Sequence, residues 1–371
     1  MVRSEAVVDL EAIRDNVALL RSRTPADVMA VVKADGYGHG LVPSARAALA
    51  GGASWLGVAF LEEALALRRA GITAPVLSWL AAPGEDLAAG VAADVDLSVS
   101  APWTLTELAA AARDAGQPAR VHLKIDTGLS RGGAPAADWP DLVTAAAKAA
   151  AAGDVQVIGI WSHFAYADAP GHPTVARQVA EFTEALEVAR RLGVDPPLRH
   201  LANSAATLTL PAAHFDLVRP GIAVYGLTPV PPEWHGLTPA MTLRSSVVLA
   251  KRVPAGSGVS YGHVYTTGQE TGLALVPLGY ADGVPRNATS VGPLLLAGRR
   301  RTISGRVCMD QFVVDVGDDT VAAGDEVVLF GPGRDGEPTA QDWADATGTI
   351  SYEIVTRVGA RVPRAYRGRV P

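Results

Sequence analysis

The first 230 residues alternate short apolar, β-branched runs with longer amphipathic or alanine-rich stretches. This alternation is typical of repeated βα units around a parallel sheet. Eight runs are predicted to be strands, at 28–33, 55–60, 76–79, 95–100, 120–126, 155–163, 198–203 and 217–225. The intervening stretches, which include 44–50, 61–70, 103–115, 145–152 and 175–192, favour helices. The pattern predicts the α/β class, with a closed (β/α)8 barrel of the TIM type over residues 1–230.

The pattern of apolar and polar residues changes near residue 241. Alternating β-branched runs now follow one another between Gly, Pro and Asp turns, at 245–251, 273–277, 301–307, 311–316 and 326–330. Such spacing predicts a mainly β domain over residues 241–371. A proline-rich stretch precedes it, and we interpret residues 231–240 as the linker between the two domains.

Composition narrows the range of functions. The net charge of −6 argues against nucleic-acid binding, which needs a basic surface to release counterions from phosphates. The one dense basic run, Arg299 to Arg301, is interpreted as a solvated turn. A single cysteine, Cys308, excludes an internal disulfide framework and a multi-thiolate metal site. No signal-peptide core or membrane span is predicted, no metal is expected, and the expected location is the cytoplasm.

The chain contains only four lysines, at positions 33, 124, 148 and 251. Lys148 lies in an alanine-rich helical stretch and Lys251 lies beside an arginine, so solvation explains both. Lys33 and Lys124, by contrast, lie in or at the ends of apolar strands. These two lysines are therefore candidate functional residues.

Functional groups of such barrels lie at the carboxyl ends of the strands. The predicted strand ends carry a dense set of reactive residue types: Lys33 with Tyr37, Asp126 with Arg131, His163, Asn203 with Ser204, and Arg219 with Gly221 and Ile222. A desolvated amine at Lys33 would have a lowered pKa and act as a nucleophile toward a carbonyl. A glycine-rich turn whose lysine reaches water explains the same residues equally well.

The loops after the last two strands of such barrels often bind phosphate. Ser204 offers a hydroxyl there, and Gly221 allows the backbone to approach a phosphate closely. Taken alone, Ser204 is more simply a helix cap. In combination with Lys33, the set suggests a phosphorylated aldehyde cofactor.

These residues belong to motifs that run through nearly the whole chain. They are VDLEAI (8–13), AVVKADGYGHG (30–40), KIDTG (124–128), SHF (162–164), NS (203–204), RPG (219–221), SYG (260–262), GYADG (279–283), CMD (308–310) and YEI (352–354). In these motifs the chain resembles the alanine racemases of the fold III pyridoxal-phosphate class. The resemblance implies pyridoxal 5′-phosphate as cofactor and alanine as substrate.

The resemblance also implies two catalytic bases. Lys33 binds the cofactor as a Schiff base and exchanges the α-proton of D-alanine. Tyr261 lies opposite Lys33 and is the base for L-alanine. A tyrosine ionises near pH 10, so this role requires nearby positive charge or donated hydrogen bonds. Arg219 faces the cofactor ring nitrogen. Because a guanidinium keeps its proton, the ring nitrogen stays unprotonated, which limits side reactions.

Further roles follow from the same resemblance. Arg131 and the backbone NH of Met309 hold the substrate carboxylate, and Lys124 matches a lysine that is carbamylated in many family members. Tyr280 narrows the entrance together with Tyr261. The remaining cofactor ligands are Tyr37, His163, Asn203, Ser204, Gly221, Ile222 and Tyr352. One departure precedes the last of these, where Ser351 replaces the proline that the family often has.

Family members are homodimers in which Tyr261 and Met309 reach the partner's site, and they supply D-alanine for bacterial peptidoglycan. A serine racemase or broad-specificity racemase of the same fold remains an alternative, since pocket size sets the choice of side chain. A decarboxylase of this class would carry a cysteine-acid motif that we do not find. A non-catalytic cofactor carrier would lack residues 241–371, and a barrel hydrolase would need paired carboxylates at the strand ends.

Overall fold

The computed structural model describes residues 3–368. A short strand β1 (Ser4–Asp9) precedes eight barrel strands: β2 (Asp27–Val31), β3 (Trp55–Phe60), β4 (Val76–Leu80), β5 (Val95–Val99), β6 (Ala119–Lys124), β7 (Val155–Trp161), β8 (Leu198–His200) and β9 (Leu217–Val218). All eight predicted barrel strands are confirmed. Six of them end earlier than predicted. The largest difference is at β9, because residues Ile222–Tyr225 form a 3-10 turn, and β2 gives way to a turn at Lys33.

The barrel strands pair in parallel, in the order β8-β7-β6-β5-β4-β3-β2-β9. Two backbone hydrogen bonds close the ring between its ends. The Asp216 N–H donates to the Arg199 carbonyl over 3.0 Å, and the Arg219 N–H donates to the Ala202 carbonyl over 2.9 Å. The predicted (β/α)8 barrel is therefore confirmed.

Helices cover the outside of the barrel. The α-helices of the chain are Leu10–Ser22, Leu41–Ala50, Leu61–Arg69, Leu87–Ala92, Pro102–Ala115, Trp139–Ala151, Pro173–Arg191, Ser204–Thr209, Ala340–Thr347 and Ser351–Thr356. The interpretation of Ser204 as a cap is wrong, because the Asn203 side chain accepts from the Ala206 N–H and caps that helix. The Ser204 hydroxyl is consequently available for other contacts.

Inside the barrel, a separate apolar cluster fills one end. It consists of Met29, Trp55, Leu77, Ile158 and Leu217, which come from five different strands. A packed cluster of this kind makes the barrel a solid core rather than a pore. The chemistry is therefore confined to the strand ends and the layer next to them.

The second domain is mainly β, as predicted. Its strands are β10 (Met241–Ser246), β11 (Leu249–Val253), β12 (Gly258–Val259), β13 (Tyr265–Thr266), β14 (Thr271–Val276), β15 (Pro293–Leu296), β16 (Arg299–Thr302), β17 (Phe312–Gly317), β18 (Glu326–Phe330) and β19 (Arg364–Arg367). They form a six-stranded sheet β16-β15-β18-β10-β1-β19, a three-stranded sheet β11-β14-β17 and the hairpin β12-β13.

Several features of this domain differ from the predictions. The predicted strand 301–307 is observed as β16, which ends at Thr302. The predicted strand 245–251 is two strands, β10 and β11, which belong to different sheets. Residues 4–9, which lay in the predicted barrel segment, form β1 and pair with β10 and β19 of the second domain. The turn predicted at Arg299 to Arg301 is wrong, because these residues form β16. The side chains of Arg299 and Arg300 are exposed as predicted, and all three arginines make ion pairs with aspartates.

The domain boundaries themselves stay a prediction, and residues 1, 2 and 369–371 of the predicted domains lie outside the described residues. Within residues 3–368, no helix has the length and apolar character needed to cross a membrane. The same part of the chain contains no group of three or more His, Cys, Asp or Glu side chains that could hold a metal ion.

Candidate active site

The turn that follows β2 has an unusual backbone. Ala34, Asp35, Gly36 and Tyr37 all have positive φ, at 54°, 53°, 61° and 51°. An L-residue costs about 1–2 kcal/mol in this left-handed conformation, and only Gly36 escapes that cost. The turn comes directly after Lys33 and therefore sets the direction of the Lys33 side chain. Neighbouring groups must therefore hold it.

Two side chains hold the turn from opposite sides. The Glu63 carboxylate accepts the Ala34 N–H over 2.6 Å and anchors its other oxygen on the N–H groups of Ala59 and Phe60, at 2.9 and 3.2 Å. His39 Nδ1 lies 3.1 Å from the Gly36 carbonyl and 3.0 Å from the Tyr37 carbonyl. Carbonyls only accept, so Nδ1 carries the proton and donates. Burial lowers the pKa of His39 to about 4, which keeps the ring neutral.

The amine of Lys33 lies in a partly desolvated place. Burial lowers its pKa, the charge of Arg131 lowers it further, and Glu63 raises it. The Nζ atom lies 5.8 Å from the centre of the Trp79 ring. A lowered pKa increases the fraction of neutral amine, which is the nucleophilic form.

The loops after β8 and β9 meet the turn of Lys33. The Ser204 hydroxyl accepts the N–H groups of Gly221, at 2.8 Å, and Ala223, at 3.3 Å. A Cβ atom on Gly221 would come within 2.3 Å of the Tyr37 hydroxyl, so only glycine fits there. The Tyr352 ring lies 6.3 Å from the Tyr37 ring. Four predicted cofactor ligands thus lie together, and Ile222 is buried beside them.

The serine that precedes Tyr352 is compatible with this arrangement. Ser351 is the first residue of helix Ser351–Thr356 and is buried. Proline is favoured at that position because its missing N–H has no partner in the first turn of a helix. Serine and proline can both start the helix, so the departure from the family pattern leaves Tyr352 next to Tyr37.

Arg219 is a buried cation. One terminal nitrogen, Nη2, donates to the carbonyls of Ser162, at 2.7 Å, and Leu201, at 3.1 Å, and lies 3.3 Å from Nδ1 of His163. The other donates to His200. Burial lowers the pKa of Arg219 to about 9, so the guanidinium stays charged at neutral pH. Among residues 3–368, no carboxylate hydrogen-bonds to it.

Several cations converge on this site. Burial first, and then the charges of Arg219, Arg131, Lys124 and Lys33, lower the pKa of His163 well below its ordinary value. Four positive groups around one neutral imidazole create a strongly positive potential. Such a potential fits an anionic ligand, for which a phosphate and a substrate carboxylate both qualify.

Lys124 ends β6 within this cluster. Its Nζ lies 4.4 Å from the centre of the Trp161 ring. Burial, followed by the charges of Arg219 and Arg131, lowers its pKa to about 8. Arg131 follows in a loop that Asp126 shapes, since the Asp126 carboxylate accepts three backbone N–H groups, of residues 128, 129 and 130.

The β domain carries the other predicted site residues at its surface. Tyr261 is 70% exposed and Met309 is 53% exposed. Their loops touch, because Ser260 Oγ lies 3.2 Å from Cys308 Sγ and the Tyr280 N–H donates to the Cys308 carbonyl. In the described part of the chain, Tyr261 makes no hydrogen bond to the barrel. In a single chain, the side chains of Tyr261, Tyr280 and Met309 are therefore exposed and do not join the predicted site residues at the barrel strand ends.

Sequence reasoning missed three buried residues of the barrel and the role of Glu63. Asp96, His122 and His200 are fully buried in β5, β6 and β8. Their signal was available, since each is a polar residue within an apolar strand. Glu63 gave no signal, because a glutamate in the first turn of a helix is ordinary.

Comparison with known proteins assigns the chain to a family. The protein-family model "Alanine racemase, N-terminal domain" matches residues 8–229, and "Alanine racemase, C-terminal domain" matches residues 240–366. The alanine racemase of Salinispora arenicola is 66% identical, and the alignment covers 100% of both chains. That of Thermobifida fusca is 60% identical, with 99% of each chain covered.

Solved structures agree. The crystal structure of alanine racemase from a D-cycloserine-producing Streptomyces lavendulae superposes with a TM-score of 0.98 at 57% identity, covering 100% of this chain and 98% of that one. The alanine racemase of Bacillus anthracis with bound L-Ala-P gives 0.91 at 37% identity, covering 100% and 96%. Members of this family depend on pyridoxal phosphate. The chain belongs to the alanine racemase family.

Proposed function

We propose that this chain catalyses the pyridoxal-phosphate-dependent interconversion of L-alanine and D-alanine. The observation that carries the proposal is the arrangement at the barrel's strand ends. There, the partly desolvated amine of Lys33 shares one positive site with the Ser204–Gly221 loops and the buried cation Arg219. Family membership over the full length of the chain supports it.

The site fits the cofactor by its donor chemistry. Ser204, Gly221, Ile222, Tyr37 and Tyr352 would hold the phosphate, where the close approach of Tyr37 to Gly221 leaves no room for a larger residue. His163, Asn203 and Arg219 would surround the ring, and Lys33 would bind the cofactor covalently. When bound, pyridoxal phosphate supplies an electron-withdrawing system that acidifies the α-hydrogen of an amino acid.

The charge of Arg219 decides how strongly the ring withdraws electrons. A guanidinium can donate but cannot accept a hydrogen bond. Arg219 would therefore leave the ring nitrogen of the bound cofactor unprotonated, and the weaker electron withdrawal would favour racemisation over transamination.

Racemisation needs a base on each face of the α-carbon. The Lys33 amine holds or returns the proton on one face, and Tyr261 of a partner subunit does so on the other. The exposure of Tyr261 and Met309 in a single chain supports a homodimer with shared sites. Arg131 and the Met309 N–H would bind the substrate carboxylate. Tyr280 and Tyr261 would narrow the entrance, which favours a methyl side chain.

The lowered pKa of Lys124 supports its carbamylation. At neutral pH about a tenth of a lysine with a pKa near 8 is the neutral amine, against less than roughly one part in a thousand at the ordinary pKa. That amine can attack carbon dioxide and lose a proton, which forms an N–C bond and leaves an anionic carbamate. An anion at this position would replace the repulsion between Lys124 and Arg131 with attraction and would orient Arg131.

The test is an isotope experiment. Purified protein with pyridoxal phosphate is incubated in heavy water with L-alanine and, separately, with L-serine. Enantiomers are followed by chiral chromatography and α-deuterium by mass spectrometry. We expect deuterated D-alanine to form much faster than D-serine, and the Lys33→Ala variant to form neither. Comparable rates for serine would identify a broad-specificity racemase, and no exchange in either substrate would refute the proposal.

The biological role follows from the product. D-alanine made by this reaction would supply bacterial peptidoglycan synthesis. We place the activity in the cytoplasm, a location that the single cysteine Cys308 favours because it leaves no internal disulfide to form.

A further inference from the structure

A hydrogen-bonded network of buried polar side chains crosses the barrel behind Arg219. Arg219 Nη1 lies 3.1 Å from Nδ1 of His200, His200 Nε2 lies 2.9 Å from Nδ1 of His122, and His122 Nε2 lies 3.0 Å from Oδ2 of Asp96. Asp96, His122 and His200 are 0% exposed and Arg219 is 4% exposed. The proposed reaction uses Arg219 alone, so the other three groups need an explanation.

The two end members of this network, Arg219 and Asp96, determine the direction of every hydrogen bond in it. A guanidinium only donates and a carboxylate only accepts. His200 must therefore accept at Nδ1 and donate from Nε2, and His122 must do the same toward Asp96. With both rings neutral, each N–H has one acceptor. A second proton on either ring would bring two N–H groups face to face.

The surroundings favour this neutral arrangement. Burial, followed by the charge of Arg219, lowers the pKa of His200 well below its ordinary value. The Trp161 ring stacks on His200, with the ring centres 5.7 Å apart. At the far end, the Arg120 guanidinium donates to both Asp96 oxygens, at 2.7 and 3.2 Å, so the carboxylate faces a cation on the side away from His122.

A glycine in β7 leaves the space that the hydrogen-bonded network needs. His122 and His200 lie on β6 and β8, which are separated by β7. A Cβ atom on Gly159 would come within 2.5 Å of His122 Nδ1. The barrel thus keeps a gap in its wall of side chains at the point where one histidine reaches the other.

We propose that Asp96 and His122 are positioning residues, which fix the tautomer of His200 and thereby the orientation of the Arg219 guanidinium. This inference rests on the proposed role of Arg219 beside the cofactor ring. A carboxylate bound directly to Arg219 would neutralise its charge. Two neutral imidazoles keep the carboxylate at a distance, so the guanidinium is oriented and its charge stays available to the ring nitrogen.

The first measurement needs neither cofactor nor substrate. Nitrogen-15 spectra of histidine-labelled apoenzyme report which ring nitrogen carries the proton, with His200→Gln and His122→Asn giving the assignments. We expect both rings in wild-type protein to be neutral, protonated at Nε2, throughout the neutral pH range. A charged ring, or a proton on Nδ1 of either residue, would overturn the proposal.

Variants at position 122 test the consequence for Arg219. His122→Leu removes the acceptor for His200 Nε2, so we expect mixed His200 tautomers, a shifted absorbance of the bound cofactor, and roughly tenfold lower kcat with little change in KM for alanine. His122→Asn keeps an amide oxygen near the former Nδ1 and should restore much of the wild-type spectrum. Asn16→Ala removes a buried side chain that donates to the carbonyls of Val224 and Thr238, and controls for lost core stability.

The outcomes separate this inference from the proposed function. If wild-type protein does not racemise alanine, the proposed function fails, whereas the apoenzyme spectra still report on the hydrogen-bonded network. If His122→Leu has the tautomer, absorbance and kinetics of wild-type protein, or changes them only as Asn16→Ala does, the positioning role is wrong. Should His122→Leu not fold, the wild-type spectra and His122→Asn decide the matter.

Discussion

Replacing Glu63 with alanine should loosen the turn that directs Lys33. The carboxylate accepts three backbone N–H groups, of Ala34, Ala59 and Phe60, and so ties the left-handed turn to the start of helix Leu61–Arg69. Alanine removes all three acceptors and the negative charge. No other side chain accepts the Ala34 N–H in the described part of the chain.

The size of the effect follows from these bonds and from the strain they oppose. Leaving a buried donor unsatisfied costs about 1–3 kcal/mol, whereas water can replace the lost acceptor at exposed donors. Of the three, only the Ala59 residue is buried. We therefore expect a loss of about 1–3 kcal/mol in the free energy of unfolding. Ala34, Asp35 and Tyr37 together carry roughly 3–6 kcal/mol of left-handed strain. The lost hydrogen bonds oppose part of that strain, so the turn should open locally.

Two measurements follow the change. Urea denaturation gives the shift in midpoint, and absorbance after mixing apoenzyme with pyridoxal phosphate gives the rate at which Lys33 captures the aldehyde. We expect both the midpoint and the capture rate to fall. Loss of the Glu63 charge should also lower the pKa of Lys33, since Glu63 raises it. That change alone would speed capture, so a slower rate reports the displaced turn.

Glu62→Ala is the matched control. Glu62 precedes Glu63 in the same first helical turn and is exposed, so its removal changes the same charge and the same interaction with the helix dipole. If Glu63→Ala matched Glu62→Ala in both stability and capture rate, the carboxylate would not be holding the turn.

Three further predictions concern Tyr261, Lys124 and Gly221. Tyr261→Phe should abolish loss of α-deuterium from L-alanine in ordinary water while D-alanine still exchanges at Lys33; equal loss from both enantiomers would contradict the two-base assignment. Uncarbamylated Lys124 binds its proton more weakly in the folded state, with a pKa near 8 against 10.5, so stability should rise with pH between these values. Thermal unfolding should show that this rise is absent in Lys124→Leu and when bicarbonate carbamylates the wild-type protein. Gly221→Ala should displace the Tyr37 hydroxyl, lower stability by about 1–3 kcal/mol and weaken phosphate binding measured by calorimetry; unchanged affinity would exclude Gly221 from the phosphate site.

The barrel could be predicted because its signals are local. Each strand is a short β-branched run between helical stretches, and each run appears in the structure with only its ends altered. The strand at residues 4–9 could not be assigned to the second domain in this way, because its partners β10 and β19 lie hundreds of residues away along the chain. Pairing over such separations depends on how whole domains pack.

The same division applies to the site. The sequence by itself determined which residue types stand at the strand ends, since the carboxyl edge of a parallel barrel gathers Lys33, Ser204 and Arg219 whatever the details. Only the tertiary structure decided that Glu63 holds the turn of Lys33 and that Asp96 reaches Arg219 through two histidines. Such contacts join residues from different strands and helices, and their hydrogen bonds depend on burial, on a gap such as that at Gly159, and on angles that no local pattern encodes.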